Sequence, residues 1–206
     1  MRPSPLTTQA GLTFTDYFKL NLDTDEVVGY FGYGYTRAAL DLPHSREPIP
    51  WYADLSERLT ASLPYVSLTS EAARREFLIA PIILDLARYH HVNVRVEYLL
   101  EVSEQLRGSL DYYLQGQQQL LIIEAKNADL QRGFTQLAAE LIALDRGIEP
   151  SSQLYGAVSI GNVWQFGVLN RVKKHVTQDL NLYRVPADLH ELLQIMIAIL
   201  QEPSPT

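Results

Sequence analysis

The stretch that most constrains the fold is LLIIEAK, residues 120–126. Four large apolar residues in a row predict a strand that is buried in a core. The run ends, however, in a glutamate, one small residue and a lysine. Because side chains alternate along a strand, Glu124 and Lys126 share a face. Burying a carboxylate and an ammonium is unfavourable unless they are paired, metal-bound or hydrated, so this end of the strand needs a chemical explanation.

The preceding strand brings a third charged residue to the same face. GSLDYYL (108–114) and LLIIEAK predict a hairpin across a polar, glutamine-rich turn. With the turn centred between residues 117 and 118, Asp111 lies opposite Glu124, with Cβ atoms roughly 5 Å apart. Two carboxylates this close repel each other unless a positive charge lies between them. Mg²⁺ and Mn²⁺ are the hard cations that suit carboxylate and carbonyl oxygens.

The wider pattern is that of a mixed α/β sandwich. A long helix begins at a cap near Ser70 and contains Pro81, which should kink it. Helices are also predicted at 128–147 and 187–201, and strands at 92–103, 108–114, 120–126, 154–161, 163–170 and near 180–185. This order predicts an α/β fold with a mixed sheet flanked by helices and with central strands buried on both faces.

The first 65 residues are predicted to form an N-terminal extension to a main domain of residues 66–206, within one compact unit. Residues 13–36 suggest two strands around an Asp/Asn-rich turn at Asn21–Glu26, and a helix is expected after Pro48 and Pro50. The aromatic residues of GYFGYGYT (29–36) alternate on one face. We interpret them as part of a strand, and the alternative is a platform on which bases stack.

Composition narrows the classes of function. The chain has no cysteine among 206 residues, which excludes disulfides and thiolate zinc sites and fits a reducing compartment. The N-terminus lacks a signal-peptide pattern, and the apolar run Ile195–Leu200 is too short to span a bilayer, so we expect a cytoplasmic protein. The net charge of −7 counts against a strong stand-alone DNA binder, but clustered carboxylates that hold a metal would contribute to it.

Glu76 is a candidate fourth acidic group. On the helix from Ser70 it shares a stripe with small and apolar residues that include Ile79 and Ile83. Glutamate is rarely buried without a partner. One interpretation pairs Glu76 with a nearby arginine, and the other has it face the same metal, directly or through water.

Taken together, Asp111, the thirteen-residue step to Glu124, one small residue and then Lys126 resemble the PD-(D/E)xK nuclease superfamily. A preceding helix with Glu76, a following helix with Gln136 and the order of elements extend the resemblance over residues 70–170. GSLDYYL and LLIIEAKN are particularly similar to the nuclease region of type I restriction subunits and to stand-alone members. Leu110 stands where the family name has proline.

The resemblance implies a restriction-endonuclease-like fold and a Mg²⁺- or Mn²⁺-dependent nuclease that hydrolyses DNA. Asp111, Glu124 and the main-chain carbonyl of Ala125 would hold one metal ion, and Glu76 would assist or hold a second. Lys126 would orient the attacking water and stabilise charge on the phosphoryl oxygens. Gln136 would contact the substrate or the surroundings of the site.

Three alternatives remain open on the sequence. Glu124 and Lys126 could be an ion pair on a half-exposed strand, which contributes little to stability. The chain could be a catalytically inactive member of the family that acts as a binding or assembly module. The apolar face of the C-terminal helix could pack on the sheet, on a second copy in a homodimer, or on a partner protein.

Overall fold

The eight strands form one mixed, open sheet. The computed structural model describes residues 6, 11–20, 22–116, 120–126, 128–147 and 153–201. The strands are β1 (Gly34–Ala38), β2 (Asn93–Ser103), β3 (Leu106–Gln115), β4 (Leu120–Ala125), β5 (Gln153–Ser159), β6 (Val163–Asn170), β7 (His175–Asp179) and β8 (Tyr183–Arg184). Their order is β1-β7-β6-β5-β4-β3-β2, with β8 paired to β6. The pairs β1–β7 and β4–β5 are parallel, and the others are antiparallel.

Helices cover both faces of this sheet. They are α1 (Phe14–Lys19), α2 (Thr24–Tyr30), α3 (Tyr52–Ser62), α4 (Glu71–Arg74), α5 (Ala80–His90), α6 (Leu130–Gly147) and α7 (Leu189–Gln201). A π-helical turn, Arg75–Ile79, joins α4 to α5. One core lies between the sheet and α3, α5 and α7, and a second lies between the sheet and α1, α2 and α6. No helix in the part of the chain that is described has the length and apolar character needed to cross a membrane.

The predicted α/β class is confirmed, and so are most elements of the main domain. The helix from Ser70 begins as expected, because the Ser70 hydroxyl accepts the Ala73 N–H at 3.1 Å. The strand expected near 180–185 is only the short β8, and β7 was not predicted. Most of the glutamine-rich turn lies outside the described residues.

The prediction of two strands within residues 13–36 is wrong for most of that stretch. Residues 14–19 and 24–30 are helical, and only residues from Gly34 onward form a strand. Each helix starts with an acidic residue three positions after its cap: Asp16 accepts the Thr13 N–H at 2.9 Å, and Glu26 accepts the Asp23 N–H at 3.4 Å. These reciprocal caps stabilise a helix start, and they outweigh the β-branched and aromatic residues that suggested strands.

The N-terminal segment is built into both cores. Strand β1 pairs with β7, α1 and α2 pack against α6, and the Ser45 N–H donates to the Gln194 carbonyl of α7 at 3.0 Å. Phe31 and Tyr33 are buried, and the Tyr33 hydroxyl donates to Asp145, so these two rings are not exposed for base stacking. The apolar face of α7 is likewise buried in this chain's own core. Of the packing alternatives that the sequence left open for this helix, the structure shows packing on the sheet.

Helix α6 approaches the sheet closely because the glycines at the contact have no side chain. A Cβ atom on Gly133 would lie 2.6 Å from Cγ2 of Val158, and one on Gly156 would lie 2.7 Å from Cδ1 of Leu137. Such distances are too short for real atoms. The two glycines therefore allow the polar side chains of α6 to reach the end of β4.

Midway along β2 and β3, the alternation of side chains between the two cores is interrupted. Tyr112 packs in the core beside α5 and α7, whereas Leu110 packs in the core beside α6, although residues two apart in a regular strand share a face. Strand β2 changes in the same place, between Val94 and Tyr98. Glu97 lies there with a left-handed φ of 51°. At this interruption, Glu97 and Asp111 lie outside both cores, and their side chains line a pocket.

Candidate active site

The β3–β4 hairpin has the predicted register. Tyr112 pairs with Ile123 and Gln115 with Leu120, and one further step places Asp111 opposite Glu124. The regular ladder ends there, because Oδ2 of Asp111 accepts the main-chain N–H of Ala125 at 2.9 Å. The aspartate side chain is thereby fixed beside the end of β4.

Glu124 is almost completely buried, with 1% of its surface exposed. Its Oε1 accepts hydrogen bonds from Lys126 Nζ and, at 2.6 Å, from Gln136 Nε2. Its Oε2 is also buried and has no hydrogen-bond partner among the described residues. Burial, followed by the charge of Asp111, raises the pKa of Glu124 to about 8.

Lys126 lies at the carboxyl end of β4, where its main-chain N–H donates to the Ser159 carbonyl at 2.7 Å. Its ammonium lies 5.1 Å from the centre of the Phe18 ring. Burial by itself would lower the pKa of Lys126, but the charges of Glu124, Asp111 and Glu71 outweigh this effect and raise it. Lys126 therefore remains an ammonium at neutral pH.

Gln136 links the strand to a residue that the sequence analysis missed, Glu140. One turn apart on α6, both side chains are buried. Gln136 Nε2 donates to Glu124 Oε1 and to Glu140 Oε1, the latter at 2.9 Å. Burial, then the charge of Glu124, raises the pKa of Glu140 well above its ordinary value. These two bonds use the amide hydrogens of Gln136, and its buried Oε1 has no hydrogen-bond partner in the described structure.

The structure does not bring Glu76 to this group. Glu76 is exposed and lies outside the pocket, whereas Glu71 lines it. The π-helical turn explains the difference, because its extra residue changes the direction in which the following side chains point. Arg75, four residues after Glu71, reaches the same region, with Nη1 lying 3.7 Å from Asp111 Oδ1.

Glu97 is a further acidic residue that the sequence analysis missed, after Glu140 and Glu71. The β2–β3 register places it across from Asp111, so three carboxylates lie in a row on adjacent strands: Glu97, Asp111 and Glu124. Arg75 Nη1 lies between the first two, 3.6 Å from Glu97 Oε1. A glutamate with a left-handed backbone inside a strand is rare, and such conformations concentrate at functional sites.

These groups surround a single pocket of about 420 Å³. Its residues come from α1, α4, α6 and three strands: Thr15, Phe18, Glu71, Glu97, Ser109, Asp111, Glu124, Lys126 and Gln136. Four of them are acidic and one is basic. This lining attracts cations, and it would repel a phosphate unless a cation enters with it.

A hard divalent cation fits the residues present. The buried Oε2 of Glu124 lacks a donor, and Asp111 lies opposite on the neighbouring strand. Within the described ranges, no three His, Cys, Asp or Glu side chains are gathered closely enough to hold a metal ion. The main-chain carbonyl of Ala125 and water would therefore complete a set of oxygen ligands around Mg²⁺ or Mn²⁺.

The buried carboxyls predict an unusual dependence of stability on pH. The folded protein raises the pKa of Glu124 and Glu140 above the ordinary value of 4.5, so it keeps protons that the unfolded chain releases. Their contribution to stability is present in full below about pH 4.5 and is lost progressively as the pH rises from there through about 8. In EDTA, the melting temperature should fall between about pH 6.5 and about pH 8.5, by roughly 2–4 °C for each kcal/mol lost.

Glu140→Gln should reduce this fall, because it removes one of the two coupled carboxyls. The exposed Glu104→Gln is the matched control and should keep the wild-type pH dependence. Thermal melts of the three proteins at both pH values measure the effect. Equal slopes for Glu140→Gln and the wild type would contradict the coupling.

No family model matches the sequence, and no curated protein matches it.

Proposed function

We propose that the protein is a metal-dependent nuclease that hydrolyses phosphodiester bonds in DNA, with a restriction-endonuclease-like fold of the PD-(D/E)xK superfamily. The observation that carries this proposal is the meeting of Asp111, Glu124 and Lys126 in one pocket at the end of a buried strand. The mixed sheet flanked by helices and the hairpin register support it.

In this proposal, Asp111, Glu124 and the Ala125 carbonyl hold Mg²⁺ or Mn²⁺. A bound ion would supply Lewis acidity, which would polarise the scissile phosphate and lower the pKa of the attacking water. The row of carboxylates keeps the pocket negative, so we expect the cation to bind before or together with the substrate. Because Glu71 lines the pocket and Glu76 does not, we assign the assisting role to Glu71.

Lys126 acts as a fixed positive charge in this mechanism. Its raised pKa makes it a poor proton acceptor at neutral pH, which disfavours a role as general base. Its ammonium is suited to stabilise the charge that builds up on the phosphoryl oxygens. In this proposal, Gln136 accepts a hydrogen bond from the attacking water through its Oε1, which has no partner among the described residues.

An inactive binding module is the second candidate, and two observations favour it. Lys126 is held by Glu124 and covered by Phe18, and the net charge of −7 does not attract DNA. In this case the same pocket would bind a cationic group of a partner, and no phosphodiester bond would be cut.

Incubation of the protein with labelled linear and circular DNA tests the proposal. We expect cleavage in Mg²⁺ or Mn²⁺ and none in EDTA, with activity restored when the metal is returned. Ca²⁺ is a useful control, since its larger radius and looser coordination suit the geometry of Mg²⁺ catalysis poorly. An absence of cleavage with either active metal, on single-stranded and duplex DNA alike, would support the binding module instead.

A further inference from the structure

Helix α1 gives the pocket a rigid wall with an aromatic side chain. Phe14 and Tyr17 are fully buried, and the Tyr17 hydroxyl donates to the Gln105 carbonyl at 2.7 Å. The helix is also fixed at its start by the cap between Thr13 and Asp16. Phe18, the next residue, is only partly buried and turns toward the pocket. The helix is therefore a fixed part of the site.

The Phe18 ring lies next to the group that would meet the substrate phosphate. Lys126 Nζ lies over one face of the ring, 5.1 Å from its centre, so a base would stack on the opposite face. A nucleotide whose phosphate contacts Lys126 carries its sugar and base a short distance away, where the same wall presents the ring. The side chains of Thr15 and Ser109 line the pocket too and can form hydrogen bonds with a sugar or phosphate.

The size of the pocket limits the form in which DNA can enter. A volume of about 420 Å³ is that of a small-molecule site and accommodates about one nucleotide. A base that is paired and stacked in a duplex cannot enter a pocket of this size without leaving its stack. Single-stranded DNA does not have this barrier to the same extent, and its bases stack on aromatic side chains with little sequence preference.

We propose that the pocket takes an unpaired nucleotide of single-stranded DNA and that Phe18 stacks on its base. This inference rests on the proposed nuclease function and deepens it by naming the form of the substrate. Phe18 then determines specificity for single-stranded DNA, and it also contacts Lys126.

The test compares the wild type with Phe18→Leu on one sequence, presented as a single strand and as a duplex with covalently closed ends. The wild type should cut the single strand at least about tenfold faster. Loss of a base stack should raise the KM of Phe18→Leu for the single strand by about 5- to 100-fold and change kcat less. Phe77→Leu is the matched control, because Phe77 is exposed and lies outside the pocket, and its KM should equal that of the wild type.

The outcomes separate this inference from the nuclease proposal. Equal cleavage of both forms, or a Phe18→Leu effect on kcat alone, would overturn the stacking role while the nuclease function stands. If neither form is cut, the nuclease proposal fails, and the anisotropy of a labelled oligonucleotide then decides the inference. Binding of the single strand no tighter than the duplex, or no weaker binding in Phe18→Leu, would overturn it.

Discussion

Replacement of Lys126 by methionine is expected to lower the rate of DNA cleavage by about 10²- to 10³-fold. Methionine is similar in length, so the side chain can still cross the pocket wall beside Phe18. The substitution removes the ammonium, which we propose stabilises charge on the phosphate during the reaction. Without that cation nearby, the pKa of Glu124 should rise further, since the charge of Lys126 now lowers it.

Single-turnover cleavage at saturating Mg²⁺ measures this effect without the contribution of product release. Lys173→Met is the matched control, because it removes one positive charge from an exposed turn. We expect Lys173→Met to retain the wild-type rate and both variants to show the same circular dichroism spectrum. A Lys126→Met protein with full activity would mean that Glu124 and Lys126 are only a structural pair.

Much of the main domain could be predicted because its signals are local. A run of apolar residues buried on both faces predicts a central strand, as in β4 and β5. The alternation of side chains in the hairpin then limits the register, so the sequence alone predicts Asp111 opposite Glu124.

The acidic residues around this pair were harder to predict because their positions depend on local irregularities. Helical periodicity favoured Glu76 over Glu71, but the π-helical turn changes the phase of the helix after Arg74. Strand periodicity gave no reason to select Glu97, because its position depends on the interrupted alternation of β2 and β3 between the two cores. Neither irregularity has a simple sequence signature.

The sequence does contain patterns that predict the contact of Glu140 and the N-terminal helices. Gln136 and Glu140 are four residues apart on an otherwise apolar face of α6, which indicates that they contact each other in a buried environment. Thr13 with Asp16, and Asp23 with Glu26, have the spacing of helix caps. The aromatic and β-branched residues between them favoured strands, and tertiary packing against α6 favours the helices.

Replacement of Asp111 by asparagine is expected to abolish the binding of divalent metal. The amide oxygen of asparagine can still accept the Ala125 N–H, so the end of the hairpin should stay in place. The negative charge opposite Glu124 is lost, however, and a hard cation binds a neutral amide more weakly than a carboxylate. Asp54→Asn, which removes an exposed charge from α3, is the matched control and should bind as the wild type does.

Calorimetric titration of Mn²⁺ and Mg²⁺ into these three proteins tests the central claim most directly. We expect saturable binding to the wild type and to Asp54→Asn, and no measurable binding to Asp111→Asn. That result would establish a metal site at Asp111 independently of any substrate. No binding to the wild type, alone or with single-stranded DNA present, would contradict a metal-dependent nuclease and favour a protein whose pocket serves binding alone.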